Sequence, residues 1–500
     1  MNKDRLFKII GIILYATAFL SMVAYCVTLG GNDIWYDEVF SVVFSSSSYR
    51  EIIRLTSADV HPPLYYFYLK TFIDTGRTVF ADFGVVFWAK LASFVPWGVL
   101  FVLAVFPIRK RFGILSGGFF ALLITVMPKL GANYAEIRMY SFAMMLITIA
   151  FVCTLGLMSG EKAGLWGVGF YLAGIATAYT QYYACIAIVG LYICFGIYAL
   201  ISGKKRQVRR LFFSAGLSVI SYLPWLGPLF SQMRAVSENY WILPLTLRSI
   251  PGCLKFLFLP ADTLGIWGYV CACIVIAIIV LVYVMFFVKK PGKDELYIAL
   301  TGPSVLAFTI LAGFILSIIG RPIFVYRYMI PVMGVFYLSF AFIFGYVVKD
   351  NACILITLIV FLISGRITVG GYCYEEKLKS DKMTEAESIL AQIPKDGVII
   401  TNFDHVCALM SYYLPDNKIC LYDGRPDAIV ELMYNRSDFE ITEDKLKVLV
   451  EGDAPVYFFG SFNSREDLLD DWEKIGIGNT EKADSVLIER YYFNIYRLTK

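Results

Sequence analysis

Two adjacent carboxylates, Asp37 and Glu38, stand in the stretch WYDEVFS, and Asp59 and His61 follow in DVHPPLYYFYLK. His61 is one of only two histidines in the chain. Further along, NYAEIRMYSF carries Glu136, Arg138 and Tyr140, YTQYY carries Gln181, and VYRYM carries Arg327 and Tyr328. An acid beside an orienting neighbour is suited to general-base chemistry, and guanidinium groups are suited to holding a carboxylate or phosphate through charge-assisted hydrogen bonds. An ionised carboxylate costs about 2.5 to 3.5 kcal/mol at the centre of a membrane helix. The acids therefore belong at an interface or in a wet cavity. The residue types alone leave blander uses open: Asp37 and Glu38 as solvated loop acids, Asp59 and His61 as a capping acid and a surface imidazole, and the arginines as snorkelling side chains. Glu136 and Arg138 are two residues apart and do not share a helix face, so an intrahelical ion pair between them is not expected.

The surroundings of these residues are those of a membrane protein. The chain has 500 residues, of which 58% are hydrophobic and 17% charged, with a mean hydropathy of +0.66. Apolar runs near the roughly 20 residues that cross a bilayer recur along it. They predict about eleven spans, at 9–29, 83–106, 112–128, 139–158, 164–179, 182–201, 211–230, 264–288, 296–319, 328–348 and 351–369. The first run is too long for a signal-peptide core and reads as a retained anchor. Basic clusters at Lys3, Arg5 and Lys8, at Arg109 to Arg111, at Lys204 to Arg210, at Lys289, Lys290 and Lys293, and at Lys349 all fall on one face by this count. The positive-inside rule makes that face and the N-terminus cytoplasmic, in the plasma membrane. The loop 30–82, the motifs around Arg138, Gln181 and Arg327, the segment 231–263 and the tail from about residue 371 then lie outside. Lys90, near the start of a span, is expected to snorkel outward.

The tail is charged, and short strands alternate with helices in it: a helix near Thr384 to Ile393, GVIIT, a helix around His405 to Tyr413, KICLY, PVYFFG, a helix near Arg465 to Ile475, and YYFNIYRL. This pattern predicts a small extracytoplasmic α/β domain over 371–500, following a membrane domain over 1–370. Cys373, Cys407 and Cys420 lie outside the spans and leave room for one disulfide. No GxxxxGK loop or dinucleotide glycine fingerprint occurs, and nothing in the charge pattern points to nucleic acid. Asn435 opens a glycosylation sequon that has meaning only in a eukaryotic secretory setting.

In this order, WYDEVFS, DVHPPLYYFYLK, YAEIRMYSFAMML, YTQYYA and RYMIPVMGVFYL resemble the membrane glycosyltransferases of the C-type fold. The likeness is to the bacterial branch similar to protein O-mannosyltransferases and to the aminoarabinose transferase of lipid A, and it covers about residues 1–370. It implies an inverting glycosyltransferase of the extracytoplasmic face that takes a hexosyl or pentosyl group from a polyprenyl-phosphate donor, in contact with membrane lipid, to a hydroxyl of a protein, lipid or glycopolymer acceptor. By the resemblance, Asp37 is the catalytic base and Glu38 its neighbour. Asp59 and His61 lie beside the site, and Glu136, Arg138, Tyr140, Arg327 and Tyr328 belong at the donor phosphate. Gln181 stands where relatives often carry histidine, which puts any acid, base or metal role of that imidazole in doubt here. A leaving phosphate is a weak base and needs positive charge rather than a general acid, in contrast to the two-carboxylate glycosidase arrangement. The sequence names no certain cofactor. A divalent metal near Asp37, Asp59 and His61 is a further use of those residue types, though no HExxH or cysteine cluster accompanies them.

Two other classes compete. A polytopic receptor with a sensing α/β tail would make the outer-loop acids dispensable. A transporter would place ionisable residues or broken helices near mid-membrane, whereas the charged residues here lie mainly at span ends.

Overall fold

The computed structural model describes residues 3–235, 242–261, 264–348, 355–460, 466–478, 481–488 and 491–500. Lys349, Arg465, and parts of the segments 231–263 and 351–369 lie outside the described residues. Two compact units emerge from the contacts. The first comprises Met1–Leu29, Thr56–Leu69 and Lys90–Cys373, and the second Gly30–Leu55, Lys70–Ala89 and Tyr374–Lys500. The second unit contains most of the first outer loop together with the tail.

Among the described residues, nine helices are long and apolar enough to cross a membrane: Lys3–Gly30, Val85–Phe112, Tyr140–Ser159, Tyr182–Ile201, Lys205–Arg234, Ile266–Val288, Lys293–Ile319, Tyr326–Val348 and Leu355–Leu390. Two shorter apolar helices, Ile114–Val126 and Ala163–Ala178, occupy the remaining predicted spans. The chain is a multi-pass membrane protein. With no hydrophobic drive between helices in lipid, close approach depends on small residues. A Cβ on Gly302 would stand 2.6 Å from Phe336 Cα, so the helices carrying these two residues touch backbone to side-chain root.

The two ends of the first unit differ. At one end lysines satisfy the orphan carbonyls that every helix C-terminus leaves. Lys204 Nζ lies 3.4 Å from Met158 O, Lys293 Nζ 2.8 Å from Ile201 O, and Lys289 Nζ 3.0 Å from Tyr346 O. At the other end the aromatic loops converge. The Leu64 amide donates to Tyr179 O at 3.1 Å and Gln232 Nε2 to Thr56 O at 2.7 Å. Lys90 does not snorkel, since it is 2% exposed and held inside the unit's packing.

In the second unit a six-stranded sheet runs in the order β3-β2-β1-β4-β6-β5, with β1 Val398–Thr401, β2 Lys418–Tyr422, β3 Glu440–Ile441, β4 Val456–Gly460, β5 Glu481–Ile488 and β6 Tyr491–Leu498. β1 to β4 are mutually parallel, and β6 pairs antiparallel with β4 and β5. Alternate residues Val398, Ile400, Cys420, Val456, Phe458 and Tyr496 bury one face against Leu446 and Trp472 of the helices Glu443–Glu451 and Glu466–Lys474. The helix Asp404–Tyr413 packs on β1 and β2. Covered on both faces, these strands read as continuous apolar runs, as parallel strands do. Cys407 and Cys420 are unbridged thiols, and burial pushes the Cys407 thiol up to about 12. Cys373 Sγ donates to Ala24 O instead of to a disulfide partner.

One expectation about the tail is corrected. The helix predicted near Thr384 is not separate from the last span: Leu355–Leu390 is one helix of 36 residues. The Gly370-Gly371 pair and the drop in apolarity read as a boundary in the sequence, but no proline or cap stops the helix there.

Candidate functional site

Within the first unit, Asp59 and His61 occupy the short turn before the helix Leu64–Val79. Pro62 and Pro63 sit at its entrance, where missing amide donors go unneeded, and the Phe67 amide donates to Pro63 O at 3.1 Å. Arg138 lies in the irregular stretch before the helix Tyr140–Ser159, with its amide donating to Glu136 O at 2.7 Å. These two loops bring three charged or ionisable groups into one line. His61 Nδ1 is 3.0 Å from Asp59 Oδ2, and Arg138 Nη2 is 3.3 Å from His61 Nε2. A guanidinium can only donate, so Nε2 accepts from Arg138, and the ring proton sits on Nδ1 and is donated to Asp59. The imidazole thereby transmits the Asp59 charge to Arg138. That cation is 5% exposed, and a buried cation needs such partners.

Tyr140, Arg327 and Tyr328 form an adjoining group. The Arg327 guanidinium lies over the Tyr140 ring at 5.9 Å, the Tyr140 and Tyr328 rings are 6.4 Å apart, and Tyr183 stacks on Tyr328 at 4.4 Å. The Tyr140 hydroxyl is buried and has no hydrogen-bond partner.

A cavity of about 440 Å³ opens beside this group, lined by His61, Gln181, Tyr183, Gln232, Arg321 and Tyr328 among others. Gln181 has a structural use here: its Oε1 caps the helix Tyr182–Ile201 by accepting from the Ala184 amide at 2.8 Å. Glu136 is half-buried, and its backbone carbonyl accepts from the Arg138 amide. Arg321, Tyr183 and Gln232 were not among the assigned site residues; the sequence offers a local signal for Arg321 in GRPIFVYRYM, beside Arg327, and for Tyr183 in YTQYY.

Asp37 and Glu38 belong to the second unit, in the first turn of the helix Tyr36–Ser46, where acids complement the helix dipole. Glu38 Oε2 accepts from the Trp35 amide at 3.1 Å and so closes that turn, and its side chain is buried. Asp37 is half-buried. The tail holds this segment in place. Tyr413 Oη accepts from the Ile34 amide at 3.1 Å and meets Ile34 O at 3.1 Å, Asn32 Nδ2 donates to Glu387 at 3.2 Å, and the His405 ring stacks on Tyr36 at 3.8 Å. No sequence signal links residues so far apart along the chain.

A metal fits these residues poorly. Both nitrogens of His61 are already engaged, the Arg138 cation stands beside the ring, and no group of three or more His, Cys, Asp or Glu side chains suited to a metal occurs among the described residues.

No protein-family model and no curated protein matches the sequence. Solved structures do. ArnT from Cupriavidus metallidurans bound to undecaprenyl phosphate superposes with a TM-score of 0.61 at 13% identity, over 97% of each chain. The apo form of the same protein gives a TM-score of 0.56, again at 13% identity over 97% of each chain. With nearly the whole length of both chains aligned, the protein has the C-type glycosyltransferase fold with a small α/β region at its C-terminus.

Proposed function

We propose that this protein is an inverting glycosyltransferase that moves a sugar from a polyprenyl-phosphate donor to an acceptor hydroxyl on the extracytoplasmic side of the membrane. The observation that carries the reading is the line Asp59, His61, Arg138 beside a tyrosine-rich cavity, with the Arg327 guanidinium over the Tyr140 ring. That is a site for an anion at the end of a helical bundle. The fold, shared with a structure whose bound ligand is undecaprenyl phosphate, supports the same ligand class.

In the reaction, an acceptor O–H gives its proton to the Asp37 carboxylate as its oxygen attacks the anomeric carbon. The bond from that carbon to the phosphate oxygen breaks, and the leaving oxygen keeps the electron pair. Arg138 and Arg327 stabilise the charge that grows there; the Tyr140 hydroxyl donates a hydrogen bond to the same phosphate and keeps its proton. Attack opposite the leaving group inverts the anomeric centre. Glu38 holds the turn that presents Asp37. The donor sugar is a pentose or hexose, and the acceptor a protein, lipid or glycopolymer hydroxyl. Incubating the purified protein in lipid nanodiscs with a panel of pentosyl and hexosyl polyprenyl phosphates tests this. Release of polyprenyl phosphate with an inverted product supports the reading, and a retained anomeric configuration overturns it.

A further inference from the structure

The lysine-rich end of the first unit has a cavity that glycosyl transfer does not use. Its volume is about 470 Å³, and it lies between the helix Ala163–Ala178 and the start of the helix Lys205–Ala235. Its walls are apolar or bare backbone at Gly164, Gly167, Val168 and Leu217, and three cations, Arg206, Arg209 and Arg210, border it. At this end Lys204, Lys289 and Lys293 are occupied with helix carbonyls. The three arginines are not. Among the described residues none of them meets a carboxylate or a carbonyl, and all three contribute to this single slot.

Three guanidinium groups around one slot favour an anion there, and their planar donor forks match phosphate oxygens. The rest of the slot suits a hydrocarbon chain. It continues onto side chains that face outward from the bundle, with Phe213 74% and Leu165 67% exposed. Arg206 and Arg209 are exposed and Arg210 is half-buried, and all three border one apolar slot. We propose that the groove binds one anionic glycerophospholipid, its phosphate held by Arg206, Arg209 and Arg210 and an acyl chain lying along Val168, Leu217 and Phe213. By the positive-inside rule this lipid comes from the cytoplasmic leaflet, where anionic lipids gather.

The proposal stands apart from the glycosyl-transfer reading, since lipid retention is measured without any donor. Full-length protein is purified in mild detergent and titrated with phosphatidylglycerol, phosphatidylcholine or inorganic phosphate, and retained lipid is counted by native mass spectrometry beside the melting temperature. Wild type should retain one phosphatidylglycerol, and the triple change of Arg206, Arg209 and Arg210 to Gln should lower that retention by at least about tenfold. Gly167→Leu keeps every charge but fills the slot, and because a Cβ on Gly167 meets nothing within 4 Å the fold tolerates it. It should lose the lipid too, and it carries the test if the triple variant does not fold. Equal retention in wild type and Gly167→Leu overturns the groove. So does equal retention of phosphatidylcholine, or stabilisation by inorganic phosphate as large as that by phosphatidylglycerol.

Discussion

Replacing His61 with alanine tests how Arg138 is held. The imidazole is the acceptor for Arg138 Nη2 at 3.3 Å, and through its other nitrogen it ties that cation to Asp59 at 3.0 Å. Alanine removes the acceptor from a guanidinium that is 5% exposed and separates it from the carboxylate. A hydrogen bond to a charged group contributes about 1.5–3 kcal/mol. At about 1.4 kcal/mol per factor of ten, this corresponds to a fall of about 10- to 150-fold in kcat/KM. If Arg138 stabilises charge only as the leaving oxygen forms, kcat carries the loss; if it holds the donor phosphate throughout, KM does. The assay is release of polyprenyl phosphate from its sugar conjugate in nanodiscs, for His61→Ala, Arg138→Ala and the double variant, each checked for an unchanged melting temperature. Because His61 acts through Arg138, the double variant should be no slower than Arg138→Ala alone. Losses that simply multiply, or an unaffected His61→Ala, would refute the reasoning.

The tail's hold on the first outer loop gives a second expectation. Tyr413→Phe removes the hydroxyl that pairs with both backbone groups of Ile34, so the melting temperature should drop by an amount worth about 1–3 kcal/mol and turnover should fall with it; an unchanged melting temperature would show that the tail does not anchor the loop. Helix packing gives a third. Gly302→Ala puts a Cβ 2.6 Å from Phe336 Cα and should destabilise by about 1–3 kcal/mol, whereas Gly216→Ala, whose Cβ meets nothing within 4 Å, should be neutral or stabilising by up to about 1 kcal/mol. Equal melting temperatures for the two variants would contradict the close helix contact.

The spans were legible because a bilayer selects for apolar length, a property of contiguous residues that needs no knowledge of partners. The two shorter helices, Ile114–Val126 and Ala163–Ala178, fell in the central stretch where the runs barely reach that length. The strands of the tail that lie buried on both faces were visible for the same reason. β5 was not: EKADSVLI mixes charge with apolar residues and forms only by pairing with β6. The two-residue β3 is likewise defined by its neighbour β2. At the site, motif order pointed to Asp59, His61 and Arg138 as residue types, but the line they form joins loops 77 residues apart and is fixed only by tertiary packing. Lys90 shows the limit of local reading, since one charge near a span end looks like a snorkelling side chain until its burial is known. Tyr413 and His405 could not be picked out at all, because their role consists of contacts with a loop more than 350 residues earlier.

The most direct measurement compares wild type with Asp37→Asn in polyprenyl phosphate release at saturating donor and acceptor. A positioned general base contributes about 10²–10⁴-fold, so the variant should lose at least about 100-fold in kcat while keeping the wild-type melting temperature and donor affinity. Full turnover by Asp37→Asn would contradict transfer through that carboxylate.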